Sequence, residues 1–148
     1  MGAGAAPPVR GLRPVAAVAP GVAAATGLSL QQLAAALVGQ LHPAAVVCVD
    51  SLCSAEGQRL GRTVQFSDTG LYPAQADHTR HLTRDTLGVP VVAAGIPTLM
   101  QAQEGADLVV TPRALDSVIA HGAALLAGSV NRALQPRLTV QQLCWLTG

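Results

Sequence analysis

Ala44-Ala45-Val46-Val47-Cys48-Val49 is an unbroken run of small and β-branched residues, and it ends on Asp50. A run of this length and composition reads as a strand buried on both faces, the kind found in parallel sheets. In open α/β sheets, ligands and chemistry gather just beyond the carboxyl ends of such strands, which is where Asp50 stands. A carboxylate there needs a partner or a task, because burying it alone is costly. The plainer alternative is that it caps a following helix.

The chain has 148 residues, enough for one domain with a real core. Residues 1–14, rich in Gly, Ala and Pro, are expected to be a flexible or extended segment, and 15–148 a single α/β domain. Half of the residues are hydrophobic but only 2% are aromatic, so the core must be built from Ala, Val and Leu. All nine basic residues are Arg and the net charge is +1, with no basic stripe; this argues against direct nucleic-acid binding. Cys48, Cys53 and Cys144 follow no framework spacing and read as small, reduced, buried residues. No apolar run approaches the ~20 residues of a membrane span, and the N-terminus does not read as a signal peptide.

The pattern along the chain alternates strand and helix. A short strand is expected at Val15–Val18. Ser29 is a helix N-cap, Leu30, Leu33, Leu37 and Val38 recur at helical spacing, and His42-Pro43 stops the helix. After the Val46–Val49 strand, a short helix is expected within Ser51–Leu60, then a strand at Thr63–Phe66. Ser67–Gly88 reads as a long irregular stretch of the functional or mobile kind. Val89–Gly95 is a second buried-type strand, and a turn or short helix is expected from Ile96 to Gln103. A brief strand at Leu108–Val110 precedes a helix from Arg113 to about Leu134, and Thr139 opens a last one. This order predicts an α/β fold with a mainly parallel sheet flanked by helices.

Three ordered segments carry a family resemblance. They are Ala45–Leu52, Arg62–Pro73 and Thr86–Thr98, supported by Leu12-Arg13-Pro14, Ala19-Pro20-Gly21, Val109–Arg113 with Asp116, and Asn131–Pro136. Together they resemble the bacterial germination protease, the spore endopeptidase, over its C-terminal part, from about Gly11 onward. The resemblance implies a fold similar to the hydrogenase maturation proteases, here without its N-terminal strands. It implies cleavage of small acid-soluble spore proteins at germination, synthesis as a zymogen, a homo-oligomer (a tetramer in the family) and a cytoplasmic, spore-core location. No cofactor, metal or membrane partner goes with it. The family's proposed catalytic pair is two aspartates. One corresponds to Asp50; the other lies in an N-terminal Gly-rich segment with no counterpart here. Tyr72 stands where the family usually has histidine, and Pro73–Ala76 replaces a Gly-rich stretch.

Hydrolysis by two carboxylates needs them close, one holding a proton while the other activates water. Asp68, in Asp68-Thr69-Gly70, is the nearest second candidate in sequence; its plainer reading is an Asx-type turn. Asp77, His78 and His81 with Asp50 have donor types that suit zinc, against the plainer reading of solvated loop histidines. His42 and His121 show no constellation, and Cys48 reads as packing. The expected function is therefore an endopeptidase of impaired activity, with Asp50 as its carboxylate and Asp68 as the candidate for the second. The alternative is a non-catalytic remnant or split-enzyme fragment acting only with a partner segment. The chain alone is expected to have little protease activity.

Overall fold

The computed structural model describes residues 11–21, 27–72, 81–101 and 109–147. Within it the chain divides into two units, one of residues 19–122 and one that joins 1–18 to 123–148.

The larger unit begins with helix α1, Leu30–Leu41. Its start is a reciprocal capping box: Ser29 Oγ accepts from the Gln32 N–H at 3.2 Å, and Gln32 Oε1 accepts from the Ser29 N–H at 2.9 Å. It ends on His42, whose φ of 47° is left-handed, with Pro43 unable to continue the helix. Strand β1, Val46–Ser54, follows. A 3-10 turn at Gly57–Arg59 leads to the short strand β2, Gln65–Ser67. Helix α2, Arg84–Leu87, is capped by Thr83 and closed by left-handed Gly88. Strand β3, Val91–Gln101, and strand β4, Val109–Val110, complete the sheet.

The strands lie in the order β1-β3-β2, with β4 paired to the end of β3. β1 runs parallel to β3, whereas β2 and β4 run antiparallel to it. The fold is α/β as expected, but the sheet is mixed rather than mainly parallel. Connection length decides one pair: residues 102–108, between β3 and β4, are too few for a parallel crossover, whereas β2 is antiparallel to β3 although residues 68–90 lie between them.

Other expectations change as well. Among the described residues β1 lies at the edge of the sheet, and it is covered on one face rather than both: Cys48 is buried while Val47 and Val49, on the opposite face, are exposed. It continues through Asp50 to Ser54 where a helix was expected. β3 does not stop at Gly95 but passes through Pro97 to Gln101, in place of the turn expected from Ile96. Pro97 is accommodated beside an irregularity, where Leu52 pairs with Pro97 but Cys53 pairs with Leu99. Residues 15–18 form neither helix nor strand.

One sheet face carries the core. Cys48, Val91 and Ala93 pack with Leu71, Leu82 and Leu87, and Leu30, Ala34 and Val38 of α1 close over them. A two-way backbone bridge, Leu71 N–H to Leu82 C=O at 2.8 Å and the reverse at 3.1 Å, brings the β2–β3 connection onto that face.

Helix α3, Leu115–Leu134, begins two residues later than expected and runs through the division between the units. Its first part packs on Ile96, where Gly122 leaves room that a Cβ would fill. In the smaller unit, Arg132 donates to the carbonyls of Pro136 and Leu138 at 3.0 and 2.6 Å. Helix α4, Val140–Thr147, follows, with Thr139 and Gln142 forming its capping box. The Gln135 amide bonds both the N–H and C=O of Arg13 at 2.9 Å. Among the described residues, no helix is long and apolar enough to cross a membrane.

Candidate functional site

Asp50 lies at the middle of β1 rather than at its end. Alternation along a strand puts Val46, Cys48, Asp50 and Leu52 on one face, the face that carries the core. Asp50 is nonetheless exposed, because the residue beside it on β3 is Gly95. A Cβ at Gly95 would meet the Asp50 carbonyl oxygen and lie 2.7 Å from Leu52 Cγ. Gly95 thus lets the two backbones close up and leaves the floor beside the carboxylate without a side chain. The next residue across the sheet is Gln65 of β2. Gly95 was a strand-ending signal in the sequence; its meaning is close approach, the other use of glycine inside a strand.

The ladder fixes which backbone groups of β1 face outward. Val46 N–H donates to Pro90 C=O at 2.9 Å, so the even residues point toward β3. The N–H and C=O groups of Val47, Val49 and Ser51 therefore point to the outer edge. Asp50 Oδ1 accepts the Ser51 N–H at 2.8 Å, and this is its hydrogen bond among the described residues. Two residues back on the same face, burial pushes the Cys48 thiol pKa up, and the negative charge of Asp50 adds to the rise. Cys48 is accordingly a neutral packing thiol, as its sequence context indicated. Cys53 and Cys144, expected to be buried, are exposed.

Asp68 follows directly on β2, with β3 between it and β1. At the usual strand spacing the β1 and β2 backbones lie about 10 Å apart, so the structure does not bring Asp50 and Asp68 together as a pair. The turn at Asp68 is not of the Asx type: Ser67 Oγ accepts the Thr69 N–H at 3.2 Å and lies 2.7 Å from the Thr69 hydroxyl. Asp68 itself is exposed. Gly70 then adopts a φ of 109° and passes against the Leu82 carbonyl, too close for any side chain. Tyr72 donates to the Thr69 carbonyl at 3.4 Å and meets the His81 ring edge-on at 5.0 Å.

Asp77 and His78 lie outside the described residues, and among the described residues no cluster of three His, Cys, Asp or Glu forms a metal site. His42 closes α1, and His121 bonds Ser117 one helical turn earlier in α3.

Comparison with known proteins places these elements. The family model described as germination protease matches residues 8–104, which contain β1, β2, β3, Asp50 and Asp68. The chain belongs to the germination protease family. It is 29% identical to a germination protease from Clostridium perfringens over 180 aligned positions, covering 89% of this chain and 55% of the relative. The germination protease of Halalkalibacterium halodurans is 38% identical across 75% of this chain and 29% of its own length. That of Bacillus velezensis is 33% identical across 85% and 34%. The chain thus spans about half, or less, of the length of the curated relatives it matches. Within the family frame, β1 with Asp50 and the turn at Asp68 belong to the matched region, whereas α3 and α4 lie beyond it.

Proposed function

We propose that this chain is a peptide hydrolase in which Asp50 is the reacting carboxylate. The observation that carries the reading is the setting of Asp50 within the germination protease match: a carboxylate held at mid-strand, exposed, beside a glycine that keeps its flank open. An extended peptide laid along the outer edge of β1 would bring its backbone past this carboxylate. Asp50 would accept a proton from the attacking water, and a second, protonated carboxyl would donate one to the leaving amine.

Family membership supports the finer parts of the reading. The substrates are small acid-soluble spore proteins, cut at germination in the spore core, and the active form is a homo-oligomer derived from a zymogen. The fold goes with that of the hydrogenase maturation proteases. The chain on its own has impaired activity, since Asp50 bonds no second carboxyl among the described residues and Asp68 lies beyond β3. The same observation favours a second reading, a fragment that acts only in an assembly.

Incubation of the purified chain with a small acid-soluble spore protein tests the reading. Slow, incomplete cleavage is expected, and Asp50→Asn is expected to remove it. Equal cleavage by the variant overturns it.

A further inference from the structure

The turn after α3 presents one side chain to the backbone of a segment far away in sequence. Gln135 N–H makes the last helical bond, to the Asn131 C=O at 2.9 Å, and Gln135 C=O accepts the Leu138 N–H at 3.1 Å. Arg132 reaches over to hold the carbonyls of Pro136 and Leu138. The turn is thereby braced on both sides of Gln135, and its side-chain amide starts from a fixed backbone. That amide takes both polar groups of one residue. Oε1 accepts the Arg13 N–H and Nε2 donates to the Arg13 C=O, each at 2.9 Å. Both residues belong to the smaller unit.

One planar amide bridges the N–H and C=O of a single residue where both point to the same side, which is the extended conformation. Pro14 supplies that conformation in advance, because the residue before a proline is driven out of the helical region into extended backbone. The Arg13 side chain takes no part: among the described residues its guanidinium makes no hydrogen bond or ion pair. What Gln135 reads is backbone shape. Packing adds little, since Leu12, Val15 and Val18 around the contact are exposed, and residues 11–18 pair with no described strand. Two neutral hydrogen bonds within reach of water hold only modestly.

From this geometry we infer that Gln135 is a clamp for extended polypeptide backbone at the residue before a proline, and that Arg13-Pro14 is its exchangeable occupant. The chain's own segment is a strap, and another polypeptide with the same residue-proline pattern replaces it. Main-chain hydrogen bonds to an extended segment are a general means of peptide capture; here a side-chain amide supplies them. The inference does not depend on the role of Asp50.

Amide hydrogen exchange of the full chain tests the clamp. The Arg13 N–H is the readout, and the Leu143 N–H, bonded to the Thr139 C=O in α4, reports that the unit is folded. Gln135→Leu is expected to speed exchange at position 13 by at least about tenfold and to leave Leu143 unchanged. Arg13→Ala is expected to keep the protection at position 13. A fluorescent peptide of sequence Gly-Leu-Arg-Pro-Val-Ala, the chain's own residues 11–16, tests the replacement. In the wild type the strap competes at the millimolar effective concentration of a tethered segment. In Arg13→Gly, Pro14→Gly nothing pre-sets the extended backbone, and the peptide is expected to bind at least about threefold more tightly. Adding Gln135→Leu to that variant is expected to abolish binding, and a peptide with Ala in place of its proline is expected to bind more weakly. Protection at position 13 that survives Gln135→Leu overturns the clamp. Peptide binding that is absent, or indifferent to Gln135, overturns the replacement and makes the strap a fixed part of the fold.

Discussion

A methyl group at position 95 has nowhere to go. It would press on the Asp50 carbonyl and the Leu52 side chain at once, and neither the strand backbone nor a packed leucine gives way cheaply. Gly95→Ala should destabilise the chain by about 1–3 kcal/mol in urea titration and displace Asp50 with it. Cys48 offers a second probe of the same face. Its thiol is raised by burial and then by Asp50, so folding favours the neutral form. That stability is complete below the unfolded thiol value of about 8.5 and is lost as pH rises through the higher folded value. Urea midpoints of the wild type should fall above pH 9 more steeply than those of Cys48→Ala; equal slopes would count against the burial. At pH 8 an alkylating reagent should modify exposed Cys53 well before Cys48.

Among the elements, α1 was legible because its signals are local. Ser29 followed by Gln32 three residues later is a capping box written in sequence, and His42-Pro43 is a stop. Ser29→Ala should cost about 1 kcal/mol, read as a lowered urea midpoint with the fold retained. The Thr139 cap of α4 was legible for the same reason. The strands were not read as far as they run. Asp50 and Gly95 both look like strand ends, yet each sits inside its strand, and they are neighbours there. The carboxylate is tolerated because β1 is an edge, and the glycine is required because the backbones approach. Both facts belong to the pairing of two strands far apart in sequence, which no local window contains. The turn at Asp68 misled in a smaller way: the hydroxyl of Ser67 does what the aspartate was expected to do.

For the whole molecule, the alternation of strand and helix was enough for the α/β class, and the ordered motifs were enough for the family. The mixed sheet was hidden because a β2 of three residues carries no direction of its own. The site was half legible. Asp50 could be singled out by type and position, but its relation to a second carboxyl depends on the sheet order, which puts β3 between Asp50 and Asp68. Asp50 is proposed as the carboxylate that performs the hydrolysis. The rate of cleavage of a small acid-soluble spore protein, measured for the wild type and Asp50→Asn, tests that role. The rate is expected to fall at least about 100-fold in the variant. A variant that cleaves at the wild-type rate would contradict it.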